Sequence, residues 1–112
     1  MDSQNIVPSQ QSAPAGTGAT TIINASNNSI RYRHLVALLI TTTNAASGTL
    51  TISDGSKTVA VINYPNAALA PAAPFVFEPN FPLEQSSPNA AWTITPSVNA
   101  SGYNVTAQYV EN

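Results

Sequence analysis

The sequence contains no cysteine, which excludes disulfides and thiolate metal sites and leaves the redox compartment unread. Charge is almost as scarce. Charged residues make up 7% of the chain, against about 25% in an ordinary soluble domain. Three basic and five acidic residues leave a net charge of −2, so the basic footprint that nucleic-acid binding needs is absent. No apolar run approaches the roughly 20 residues of a membrane span; the stretch from Leu35 to Ile40 is far too short. The opening residues, MDSQNIVPSQ, lack the basic segment and apolar core of a signal peptide. The expectation is a chain made and assembled in the cytoplasm of its producer.

Ser, Thr, Asn and Ala stand where charge is missing. Neutral polar groups cost far less to desolvate than ions, so such a surface suits a protein packed against neighbours. A chain of 112 residues is one domain. At this size roughly two thirds of the unfolded surface is buried, enough for a core without staples.

Residues 1–18 hold two prolines and two glycines among scattered apolar residues and read as an extended N-terminal arm. Fully extended it spans about 60 Å. Ile6, Val7 and Pro8 are the candidate anchor on a neighbouring subunit. Residues 19–112 read as a single β-sandwich domain. The stretch IRYRHLVALLITTT, from Ile30 to Thr43, is the longest without Gly, Pro, Asn or Asp. Its first half alternates and its second half is apolar on both faces, as in a strand that enters from a solvated edge and then runs between two layers. One face carries Tyr32, His34, Val36, Leu38 and Ile40, the other Arg31, Arg33, Leu35, Ala37 and Leu39.

Shorter strands are expected around it: ATTIINA from Ala19 and GTLTIS from Gly48, then KTVAVIN from Lys57, APFVFE from Ala73, AWTITP from Ala91 and GYNVTAQYV from Gly102. Asp54-Gly55 lies between two alternating runs, a strong hairpin signal. Six of the nine prolines fall between positions 65 and 88, which assigns that region to loops and edge strands. Phe81 and Leu83 are expected to be buried beneath the loop FPLEQSSPNA. The whole reads as an all-β chain of about seven to eight strands, an antiparallel sandwich of jelly-roll type.

The residues that carry chemistry are few. His34 is the only histidine, set mid-strand between Arg33 and Leu35, and is read as structural, because nucleophilic catalysis needs a serine and a carboxylate within reach of it. Glu78 and Glu84 are the one carboxylate pair worth weighing for glycoside hydrolysis; both flank proline-rich turns and read as solvated. Neither metal-ligand spacing nor a glycine-rich phosphate loop is present. No cofactor, small-molecule substrate, nucleic acid or membrane is expected, and the chain does not read as an enzyme. Arg31 and Arg33, on one strand face, are the candidate pair for acidic groups on a neighbour.

The order of elements resembles small bacteriophage virion proteins of the capsid decoration or cement type and related head or tail accessory proteins. The features that carry the resemblance are TTII, IRYRHLVALLI, SDGSK, FVFEPNFPLEQS and YNVTAQYVEN. The resemblance implies a structural protein of the virion, seated on the outer capsid surface. Its partners would be the major capsid protein lattice and copies of itself, as a dimer or trimer. The alternative is a tail or fibre-associated sandwich that recognises a host surface glycan through the loops at 64–88. Exposure of Trp92, Tyr64 or Tyr32 in a shared groove separates the two.

Overall fold

The structure, a computed structural model, describes residues 8–42, 48–64, 75–98 and 102–112. Among the described residues there are eight strands and no helix. They are β1 (Ser9–Ser12), β2 (Thr20–Ile23), β3 (Arg33–Thr42), β4 (Gly48–Ser53), β5 (Thr58–Tyr64), β6 (Phe75–Phe77), β7 (Trp92–Pro96) and β8 (Tyr103–Glu111). Two antiparallel four-stranded sheets result, ordered β1-β8-β3-β6 and β2-β7-β4-β5. The pairing is nested: β4 with β5, β3 with β6, β2 with β7, β1 with β8. This is one long hairpin whose tip is the loop 54–57. Rolling it adds the contacts β8 to β3 and β7 to β4. Eight strands wound this way are a jelly roll, the fold class the sequence leads one to expect.

Alternation in the strands builds the core. Leu50 and Ile52 of β4, Trp92 and Ile94 of β7, and Tyr103, Val105 and Ala107 of β8 all point inward and are buried. The intervening positions of the β2-β7-β4-β5 sheet face outward and are mostly threonine: Thr21, Thr93, Thr95, Thr49 and Thr51. Gln10 of β1 closes one side of the sandwich. Its Nε2 donates to Asn24 Oδ1 at 3.2 Å, and its Oε1 accepts from Asn24 N at 2.8 Å.

Four expectations are corrected. The long strand does not run between two layers. A β-bulge lies between Leu35 and Ala37 on β3, opposite Tyr109 and Gln108. An extra residue swaps the faces of a strand. Leu35 is therefore inside before the bulge and Leu38 and Ile40 after it, while Leu39 comes out to 41% exposure. Apolar residues on both faces mark the swap, not a second covering layer. Arg31 precedes β3, so Arg31 and Arg33 do not share its face. Phe81 is 80% exposed, whereas Leu83 packs against the core. The stretch expected as an arm contributes a strand, since Ser9–Ser12 pair with β8. Ile6 and Val7 lie outside the described residues.

The hairpin tip is a four-residue loop, because Ser53 pairs with Thr58. Gly55 has φ +101° there, and a Cβ at that position would meet Ala90 Cβ at 2.7 Å and Ala91 O at 2.8 Å. Both the conformation and the space demand glycine. Replacing Gly55 by Ala is expected to cost about 3 kcal/mol, since strain and overpacking coincide. Urea unfolding of the variant checks this; an unchanged midpoint would mean that the tip is not seated as described.

Candidate functional site

At one end of the sandwich three segments meet: the turn 24–32, the hairpin tip 54–57 and the loop 83–91. Local turns bring polar residues into this end. Asn27 and Asn89 adopt left-handed φ of 62° and 52°, a conformation asparagine tolerates better than most residues. Asn89 Oδ1 then accepts from Asn27 N at 2.9 Å, and Asn89 N donates to Arg31 O at 2.9 Å. Leu83 extends the sheet by bonding Leu35 in both directions, at 2.8 and 3.0 Å.

Gln85 is the hub. Its Oε1 accepts from Arg33 N at 2.9 Å. Its Nε2 donates to Asp54 O at 3.0 Å and to Ala90 O at 2.6 Å. Its own N–H donates to His34 Nδ1 at 3.0 Å. A buried amide with every polar atom engaged ties β3, the tip and the loop together.

Asp54 is the buried charge of this end, with no exposed surface. Its Oδ1 accepts from Ser56 N and Lys57 N, each at 2.9 Å. Its Oδ2 accepts from Ser86 N at 2.8 Å and from Ser86 Oγ at 2.6 Å. Burial pushes its pKa up. The Ser86 hydroxyl and the N–H groups of Lys57, Ser56 and Ser86 outweigh burial and hold the carboxyl below its ordinary value.

Arg33 also acts within its own chain. Its Nε donates to Glu111 Oε1 at 2.7 Å, its Nη1 to Asn24 O at 2.9 Å, and its guanidinium lies 4.9 Å from the centre of the Tyr109 ring. The acidic partner anticipated on a neighbour is thus met by β8. Arg31 is exposed. Pro8 is exposed as well, and its carbonyl accepts from Tyr109 N at 3.1 Å.

A shallow groove of about 450 Å³ opens beside this network, lined by Tyr32, His34, Glu84, Gln85, Ser86 and Asn112. The rings of Tyr32 and His34 stack along one wall, 6.0 Å apart and 13° from parallel. His34 Nε2 lies 3.3 Å from Asn112 Oδ1. A serine, a histidine and an aspartate come close here, but not in catalytic order. Ser86 donates to Asp54 directly, and the bonds of His34 go to Gln85 and Asn112. A triad needs the imidazole between the other two. Glu78 and Glu84 are both exposed, as expected.

Trp92 is fully buried, with Nε1 donating to Arg33 O at 2.6 Å. It cannot serve as a sugar platform. The Tyr64 side chain lies outside the described residues.

The outward face of the β1-β8-β3-β6 sheet is the other feature of note, and sequence reasoning missed it. Ser9, Gln11, Asn104, Thr106, Gln108, Leu39, Thr41 and Val76 lie on it by register, with no charge among them. Leu39 pairs across to Val76, which is 56% exposed, beside a depression of about 230 Å³ lined by Ala37 and by one charged residue, Glu78. The signal was present in the alternating half of β8. The bulge that turns Leu39 outward left no mark in the sequence.

No family model matches the sequence, and no characterised protein matches it either. Among solved structures, the coat protein of Tobacco streak virus is similar, with 11% identity and a TM-score of 0.39 over 92% of this chain and 85% of that one. A likeness this distant carries no inference, and the functional reading rests on the chain's own geometry.

Asp54 gives the fold an acid-sensitive contact. A carboxyl whose folded pKa is lowered stabilises the protein above its unfolded value, about 3.9, and that stabilisation is lost as pH falls through the folded value. Stability is expected to be flat above about pH 5 and to fall below it. In Asp54→Asn the amide meets the Ser86 N–H as donor against donor. The variant is expected to lose about 3 kcal/mol at pH 7 and most of the acid slope. Urea midpoints followed from pH 7 down to pH 3 test both points.

Proposed function

We propose that this chain is a structural protein of a virion, a decoration or cement protein on the outer capsid surface that binds the major capsid protein lattice. The observation that carries the reading is the sparsely charged outward face centred on Leu39 and Val76, where Glu78 is the one charged residue lining the depression. Such a face loses little on desolvation, because it strips water mostly from amides and hydroxyls, with Glu78 the one ion beside the depression. The neutral threonine face of the second sheet and the overall 7% charge support the same reading. The jelly roll is an architecture found in viral capsid domains, but also in lectins and cupins, so the fold alone decides nothing. Residues 1–8, with Ile6, Val7 and Pro8, add a tether to a neighbouring subunit, and exposed Arg31 meets an acidic group there. Many weak contacts on a lattice sum to strong attachment. Assembly takes place in the host cytoplasm.

The groove of Tyr32, His34 and Glu84 supports a second reading, a tail or fibre module that holds a host glycan, since a stacked aromatic wall beside polar groups suits a sugar. The buried Trp92 speaks against it.

Binding to purified capsids of the source particle separates the two. Leu39→Asp with Val76→Asp is expected to abolish capsid binding while shifting Tm by only a few degrees, as for an exposed site. Deleting residues 1–7 is expected to reduce protection of capsids against heat. Undiminished capsid binding by the double variant would overturn the lattice reading. Glycan binding lost on Tyr32→Ala would establish the second.

A further inference from the structure

We propose that the outer edge of β5 is a self-association surface, joining two copies of the chain across a twofold axis at Ile62. This inference stands whether or not the virion reading holds.

The first ground is the unequal treatment of the sheet edges. The two sheets end in β1, β6, β2 and β5. The first three have four, three and four residues, whereas β5 has seven. Proteins protect exposed edges by keeping them short or by placing lysine, proline or charge on them. The sequence of β5, TVAVINY, has none of these and is rich in β-branched residues. Among the described residues no strand pairs with its outer side.

The second ground is which main-chain groups face outward. On β4, both the N–H and the C=O of Thr49 turn towards β7: Thr49 N donates to Ser97 Oγ at 2.8 Å, and Thr49 O accepts from Ser97 N at 2.9 Å. Main-chain groups alternate sides along an antiparallel strand. Leu50 and Ile52 therefore bond towards β5, to their partners Ile62 and Ala60. The partners of Thr49 and Thr51 on β5 are Asn63 and Val61. Their N–H and C=O groups turn to the free edge. Pro96 agrees with this phase. It stands opposite Leu50, whose main chain faces β5, so its missing N–H interrupts no bond to β4.

Two outward residues separated by one define a register. If a second β5 lies antiparallel with Ile62 opposite Ile62, then Val61 of each copy stands opposite Asn63 of the other. Both are the hydrogen-bonding positions, so four N–H to C=O bonds form and every outward group of the two residues is used. Identical strands satisfy this symmetry without any other surface, as an isologous twofold contact requires. Charge does not oppose it, because Thr58–Tyr64 carries none. The side chain of Val61, 60% exposed, is covered in the process.

The test is sedimentation equilibrium of the full chain with three variants. Val61→Pro removes an N–H that faces the free edge and leaves the ladder to β4 intact. Wild type is expected to dimerise, and folded Val61→Pro to associate roughly 30-fold more weakly, the worth of two hydrogen bonds per dimer. Should Val61→Pro fail to fold, Val61→Lys carries the same reading, since it places like charges near the axis. Because the chain has no native cysteine, Val61→Cys with Asn63→Cys reports the register. Opposed positions lie about 5.5 Å apart at Cα, within disulfide reach, so oxidation should give a covalent dimer. A wild type that stays monomeric, a folded edge variant that still dimerises, or a dimer that does not cross-link would each overturn the proposal. So would β5 amides that gain protection from exchange only when capsids are added, which would assign the edge to another protein's strand.

Discussion

Closing a rolled hairpin places its tip against loops far away in sequence, and here the Asp54 carboxylate makes that contact possible. The tip carries main-chain groups that no strand can satisfy. Asp54 takes the N–H groups of Ser56 and Lys57 from its own turn and the N–H and hydroxyl of Ser86 from the loop opposite. A carboxylate is the natural residue for this position: two oxygens accept four bonds, and charge strengthens each. No cation is needed as a partner, because oriented N–H dipoles supply the positive potential. Gln85 then hands the arrangement on to β3 through Arg33 N and His34, and Trp92 fixes the carbonyl of Arg33 from the second sheet. The loop end is therefore one polar unit joining both sheets.

His34, Asp54 and Arg33 are engaged in that unit. The single histidine, the one carboxylate that is buried among the described residues and one of three cations hold backbone in place. Groups so engaged are poor candidates for turnover, since a catalytic group must be free to exchange protons or electrons with a substrate. This is why the surfaces, with their hydroxyls, amides and a few aliphatic groups, carry the functional argument.

Much of the fold is legible in the sequence. The strands with clean alternation, GTLTIS and YNVTAQYV, have their inward residues where period-2 reading places them, with Leu50, Ile52, Tyr103, Val105 and Ala107 buried. The Asp-Gly hairpin signal marks the tip of the entire roll. What the sequence does not show is non-local. The bulge beyond Leu35 depends on pairing with β8, and a single extra residue inverts every face after it. The bonds of Asp54 to Ser86 and of Gln85 to Asp54, Arg33 and His34 cross more than thirty positions, and no local pattern encodes them. Phe81 misleads for the opposite reason. Between Pro79 and Pro82 the backbone has little freedom, and hydrophobicity alone does not turn a side chain inward. Ser9–Ser12 read as an arm because four polar residues show no strand period. Their strand character comes from β8, which offers them an unpaired edge.

The two kinds of free surface do different physical work. A sheet face offers side chains, so what it binds is selected by shape and by the cost of removing water, and a neutral face accepts a broad, flat partner. A sheet edge offers main-chain donors and acceptors at fixed spacing, so it binds another strand in one register. In this chain the two are separated: the Leu39–Val76 face belongs to the β1-β8-β3-β6 sheet and the β5 edge to the other. Engaging one leaves the other open, so a pair joined edge to edge would still present two sparsely charged faces. A bivalent unit of that kind gains attachment from linking two weak contacts rather than from enlarging either. That route suits a small domain with little charge.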